Sequence, residues 1–149
     1  DMKFSDESMR ESFYMSNISP QNPDFNRGIW RKLEQLVRVW GREGEIFITT
    51  GGVLLNGNLG SIGSNKVSIP SKYYKIVYSS HKNSMIGFLI PNKKSTSELE
   101  SYVVKVDSIE KITGINFYEE IPDHIENILE SEINFKRWGF KNHKIKSQN

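Results

Sequence analysis

The clearest periodicity in the chain runs from Ile29 to Trp40. Ile29, Leu33, Leu36, Val37 and Trp40 fall at i, i+4, i+7, i+8 and i+11, which is one continuous apolar face of a helix. Pro23-Asp24 marks the entry of that helix with Asp24 as its N-cap, and Gly41 and Gly44 punctuate its end. Ahead of it, Ser16 to Asp24 is a run of turn-formers that reads as a loop. A short helix near Asp6 to Ser12 and an extended Phe13-Tyr14-Met15 precede the loop. After the glycines, Glu45 to Thr50 is a β-branched strand ending at Gly51-Gly52. The stretch from Asn56 to Asn65, rich in Gly, Asn and Ser, is expected to be a mobile loop. Tyr73 to Tyr78 and Met85 to Ile90 flank a turn at Ser79 to Ser84, the pattern of an antiparallel hairpin. Tyr102 to Val106 reads as a fourth strand. Asp107 then caps a short helix from Ser108 to Thr113 that Gly114 stops, and a last helix runs from Pro122 to Glu130. Antiparallel strands with helices inserted between them predict an α+β fold, not a doubly wound parallel sheet.

Composition narrows the chemistry. The 149 residues are one domain by length, with 36% apolar residues and enough aromatic side chains (three Trp, six Tyr, eight Phe) for a packed core. With no Cys there is no disulfide, thiolate metal site or thiol nucleophile. No apolar run approaches the length of a membrane span, and no signal-peptide pattern opens the chain; the first residues, Asp1-Met2-Lys3-Phe4, read like the inside of a domain. The net charge of +2 does not by itself announce a nucleic-acid binder. Its distribution is uneven: Glu119 to Glu132 is acidic, whereas Lys136, Arg137, Lys141, Lys144 and Lys146 make residues 136–149 a basic end. That end reads as a solvated, partly disordered tail.

Beside the apolar face of the long helix, Asn26, Trp30, Glu34 and Arg38 recur every four residues as a slowly rotating stripe. An ordinary solvated face with a Glu-to-Arg i,i+4 pair, common on exposed helices, is the simpler account of them. The functional alternative is a hard-cation site, in which Asn26 offers a carbonyl oxygen and Glu34 holds metal-bound waters. Mg²⁺ suits such a set because it keeps several waters and takes few protein ligands. Against it stands the helix dipole, whose positive end lies near Asn26. Spacing and composition leave the two readings open.

The segments Phe13-Tyr14-Met15-Ser16-Asn17-Ile18-Ser19-Pro20-Gln21, Phe25-Asn26-Arg27-Gly28-Ile29-Trp30 and Leu33-Glu34 closely resemble the central signature of the DNA/RNA non-specific endonucleases, relatives of the Serratia nuclease and endonuclease G. The likeness continues through Ile69-Pro70, Tyr73-Tyr74-Lys75, Phe88-Leu89-Ile90-Pro91-Asn92 and Val106-Asp107-Ser108-Ile109-Glu110-Lys111-Ile112-Thr113-Gly114, to about Pro122. The resemblance implies a ββα-metal (His-Me finger) fold and metal-dependent hydrolysis of phosphodiester bonds in DNA and RNA. It implies that Asn26 is the direct Mg²⁺ ligand, with Mn²⁺ as a substitute, and that Glu34 supports the hydrated metal and the scissile phosphate. Arg38 matches a further polar position near the site, as do Asn17 and Gln21. The last two are equally readable as loop residues that satisfy backbone groups. Trp30 reads as helix packing, not as a base-stacking platform.

The family's Asp-Arg-Gly-His motif, source of the general base, does not occur in the chain. It is expected just upstream of Asp1, together with the first strands of the fold, so the chain reads as the C-terminal part of a longer nuclease. His81 falls in a turn, His124 on the acidic last helix and His143 in the basic end, and none has the neighbours of that motif. The alternative function is a catalytically inactive relative that binds nucleic acid or a partner. The resemblance further implies a secreted or periplasmic protein, DNA and RNA backbone as partners, and a homodimer.

Overall fold

The computed structural model describes residues 19–141. The segments expected near Asp6 to Ser12 and at Phe13 to Met15 lie outside the described residues, as do Asn17 and His143. Four antiparallel strands lie in chain order in one sheet: β1 (Ile46–Ile62), β2 (Val67–Ser79), β3 (Ser84–Pro91) and β4 (Val103–Val104). Before them come a single helical turn α1 (Pro23–Phe25), a π-helical turn (Asn26–Trp30) and α2 (Arg31–Glu43). After them come α3 (Val106–Thr113), α4 (Asp123–Ser131) and a 3₁₀ turn (Phe135–Trp138). This is the α+β arrangement expected from the alternation. Among the described residues no helix is long and apolar enough to cross a membrane.

Side chains alternate across a strand, and here both faces of the sheet are covered. Tyr73 and Val77 of β2 with Ile86, Phe88 and Ile90 of β3 meet Ile29, Leu33, Val37 and Trp40 of the long helix. Tyr74 and Ile76 with Met85 point the other way, onto Val106 and Ile109 of α3 and Leu129 of α4. Burial on both faces is why β3 reads as an almost unbroken apolar run, not as an alternating one. Gly87 lets α3 come close, since a Cβ there would stand 2.9 Å from Ile109 Cδ1 and 3.0 Å from the Val104 carbonyl.

Several boundaries differ from the sequence expectation for local reasons. The N-cap is Asn22, not Asp24: the Asn22 Oδ1 accepts the Asp24 N–H at 2.9 Å and the Phe25 N–H at 3.3 Å, with Pro23 at the first helical position. Gly41 does not stop the helix, which continues to Glu43 and ends at an extended Gly44. The expected loop at Asn56 to Asn65 is strand to Ile62: β1 runs on past Gly51-Gly52, pairs with β2 to Ile62↔Val67 through two register shifts, and leaves only a short turn. Conversely, the fourth strand shrinks to Val103–Val104 because Leu99–Tyr102 is a 3₁₀ turn. Asp107 is inside α3, which starts at Val106 with no side-chain cap, whereas Gly114 stops it in the left-handed region (φ 70°) as expected. The last helix begins at Asp123, with Pro122 at its cap.

The basic end is folded through Trp138. That indole is 1% exposed and its Nε1–H donates to Ser84 Oγ at 3.0 Å. Arg137 donates to the carbonyls of Lys82 and Asn83 at 3.1 and 2.8 Å, closing on the β2–β3 turn. Burial of a Trp is worth more than the solvation of its basic neighbours, which stay at the surface.

Candidate functional site

The start of the long helix is fixed from the sheet. Asn92, 3% exposed at the end of β3, donates from Nδ2 to the carbonyls of Pro20 (3.1 Å) and Pro70 (2.9 Å) and accepts the Asn22 N–H on Oδ1 at 2.7 Å. Tyr73 adds a second tie, its hydroxyl donating to the Pro20 carbonyl at 3.0 Å and lying 2.5 Å from Ser19 Oγ. Together they pin residues 19–22, and through the Asn22 cap they set where the helix begins. Both residues lie in segments that match the family's signature, yet the sequence offered no role for them. Their partners lie 22 to 72 residues away along the chain.

From that origin the π-helical turn aligns the site. Eight regular helical steps separate Asn26 from Glu34, about 800° in all, which leaves them about 80° apart around the axis. A π turn holds roughly one residue more than an α turn, so the same stretch counts as about seven steps, about 20° short of two full turns. Gly28, with ψ of −109°, carries the departure from helical geometry. The stripe expected at every fourth residue is thereby split. Trp30 turns into the core at 3% exposure, where it packs on Phe25 and Tyr73. Asn26, Glu34 and Arg38 open onto a surface groove of about 370 Å³.

Arg27, Arg31 and Gln35 line the same groove. Three guanidiniums against one carboxylate make it a place for anions, and planar Arg forks suit phosphate oxygens. Among the described residues Glu34 makes no ion pair within 4 Å, the single pair being Lys82 with Glu43. A neutral amide oxygen and an unpaired carboxylate in an open polar groove are donors a hydrated hard cation accepts. The surplus positive charge, with the helix dipole behind it, means that a divalent ion is held well only when a phosphate anion is present too. The residues fit Mg²⁺ on those terms.

Lys75 stands behind Glu34 and was missed as a functional candidate. It interrupts the apolar run of β2, is 7% exposed, donates to Thr50 Oγ1 at 3.0 Å and lies 4.8 Å from the centre of the Trp30 ring. Burial pushes its ammonium below the ordinary lysine value, and the Glu34 carboxylate pulls it back up. Gln21 is half-buried in the pinned loop and does not line the groove. His81 and His124 are exposed and stand outside the groove as well.

Comparison with known proteins places this geometry in context. The family model of the DNA/RNA non-specific endonucleases matches residues 1–124. Over 137 residues the chain is 33% identical to the mitochondrial nuclease EXOG of Mus musculus, covering 80% of this chain and 37% of that protein. Over 127 residues it is 32% identical to the nuclease of Serratia marcescens, covering 80% of this chain and 48% of that one. Among solved structures, a chain of the EndoG/EndoGI complex, described as showing the mechanism of EndoG inhibition, superposes with a TM-score of 0.68 at 26% identity, over 80% of this chain and 56% of that chain. The chain thus spans less than half the length of the curated relatives it matches.

Proposed function

The chain belongs to the DNA/RNA non-specific endonuclease family, and from that premise we propose that it supplies the Mg²⁺-binding helix for hydrolysis of phosphodiester bonds in DNA and RNA, irrespective of sequence and sugar, on a ββα-metal fold. The observation that carries the proposal is the groove in which Asn26, Glu34 and Arg38 meet Arg27 and Arg31. Asn26 is the direct metal ligand, through its side-chain oxygen. Glu34 would support the hydrated ion and the scissile phosphate. Arg38, with Arg31 and Arg27, holds non-bridging phosphate oxygens and so reads backbone without reading bases. When bound, Mg²⁺ supplies charge neutralisation on a phosphate oxygen and on the departing 3′-oxygen. Lys75 faces Glu34 from the core side as a nearby positive charge. Gln21 contacts substrate from the loop before the helix, and the family resemblance gives Asn17 the same role. The proton of the attacking water goes to a histidine that the family carries in its Asp-Arg-Gly-His segment.

Plasmid and RNA degradation tests this, with Mg²⁺ and with EDTA, on this chain and on a form extended upstream through an Asp-Arg-Gly-His segment. Cleavage of both substrates by the extended form, only with Mg²⁺, is the expected outcome. Asn26→Ala in that form should remove cleavage by at least about a hundredfold with unchanged circular dichroism. An extended form that cuts neither substrate but binds both with salt-dependent affinity would replace the enzyme with a binding relative.

A further inference from the structure

On the face of the sheet away from the groove, α3 and α4 bring carboxylates together. One oxygen each of Asp107, Glu110 and Glu130 lies within 4.8 Å of the other two. Glu126, one turn before Glu130 on the same face of α4, adds a fourth acid. Glu130 and Glu126 are 4% and 8% exposed, and Oε1 of each is buried with no hydrogen-bond partner. No described Lys or Arg forms an ion pair with any of the four. A buried carboxylate oxygen without a donor costs more than an ordinary packing defect, and that of Glu130, within the cluster, calls for a cation or a proton.

We infer that Asp107, Glu110 and Glu130, with Glu126 beside them, form a second divalent-cation site that takes Ca²⁺ and clamps α4 to α3. The donor set is all oxygen and strongly anionic, the chemistry of a hard cation. Ca²⁺ is the better fit among common hard cations, because it takes six to eight oxygen ligands, carboxylates included, in flexible geometry, whereas Mg²⁺ keeps several waters and takes few protein ligands. Glu110 is preoriented, since its Oε1 accepts the Phe117 N–H at 2.8 Å. Without a cation, burial and then the charges of Glu110, Glu126 and Asp107 push Glu130 up to about 8, and a retained proton performs part of the ion's task. The site is structural: it anchors α4 on α3, and α3 on the sheet at Gly87. It stands independently of the nuclease reading.

Thermal unfolding and calorimetric titration of the full-length protein, stripped with EDTA and then given Ca²⁺ or Mg²⁺, test the site. Millimolar Ca²⁺ should raise Tm by about 5 °C over the chelated protein. The rise should vanish in Glu130→Gln and persist in Asn26→Ala, and the titration should show at least a tenfold loss of Ca²⁺ affinity in Glu130→Gln. Because Gln removes a buried acid, the chelated variant should melt no lower than wild type, which separates lost binding from lost folding. Absence of a Ca²⁺ shift in wild type, or an equal shift in Glu130→Gln, overturns the inference. A shift lost in Asn26→Ala and kept in Glu130→Gln overturns it too, by locating the ion in the groove.

Discussion

An ammonium buried beneath an indole is costly unless a negative charge or several acceptors lie nearby. Among the described residues Lys75 has one direct hydrogen bond, from Nζ to Thr50 Oγ1, the Trp30 ring, and Glu34 at longer range. The Glu34 carboxylate is the charge that offsets its burial. Lys75→Met keeps the chain length and removes the charge, so the fold should hold or gain stability, while cleavage by the extended form falls about tenfold. Unchanged cleavage with the Mg²⁺ requirement intact would leave Lys75 as packing only. Asn92 makes the complementary case, a buried polar residue satisfied by two bonds to the loop before the helix and one to Pro70 of β2. Asn92→Ala strands the Pro70 carbonyl and the Asn22 N–H and leaves the Pro20 carbonyl with the Tyr73 hydroxyl alone. It should lower stability by about 3 kcal/mol, read from urea unfolding; a loss below about 1 kcal/mol would mean that water replaces those bonds.

Among the elements, the π-helical turn matters most, because it decides which residues of the helix face the groove. Gly28→Ala favours a regular helix by about 1 kcal/mol and, where the turn straightens, rotates Asn26 roughly 80° from Glu34. Cleavage by the extended form should fall at least tenfold with helix content by circular dichroism preserved or raised. Wild-type rates in that variant would show that the alignment of Asn26 and Glu34 does not depend on the π turn. The β1–β2 arm shows the opposite balance. Its Gly-, Asn- and Ser-rich composition favours a loop locally, yet pairing with β2 carries it on as strand to Ile62. At Gly51 any side chain would collide with the Tyr74 hydroxyl, so a glycine that looks like a strand terminator serves close packing inside the strand.

At the scale of the whole molecule, the sheet separates two charged regions: a groove rich in arginine on the α2 side and a carboxylate cluster between α3 and α4. The cluster predicts a pH dependence. With its pKa raised from 4.5 to about 8 in the fold, Glu130 binds more protons folded than unfolded between those values. Burial and the charges of Asp123, Glu110 and Glu119 raise Glu126 in the same direction. Stability in EDTA is therefore full below about pH 4.5 as far as these groups are concerned, and it falls as pH rises toward 8. Denaturant midpoints across that range should show this fall in wild type and a flatter profile in Glu130→Gln; a midpoint that rises throughout would contradict it. The sequence by itself determined the α+β class, the helix with its apolar face, the β2–β3 hairpin and the family signature around Asn26 and Glu34, because these rest on periodicity and on residues adjacent in the chain. Only the tertiary structure decided that Trp30 leaves the Asn26–Glu34–Arg38 stripe for the core, that Asn92 and Tyr73 pin the helix entry, that Lys75 backs Glu34, and that Trp138 is core and not tail. Each of these depends on partners remote in sequence, whose burial and hydrogen bonding outweigh local propensity by more than any single-residue preference can oppose.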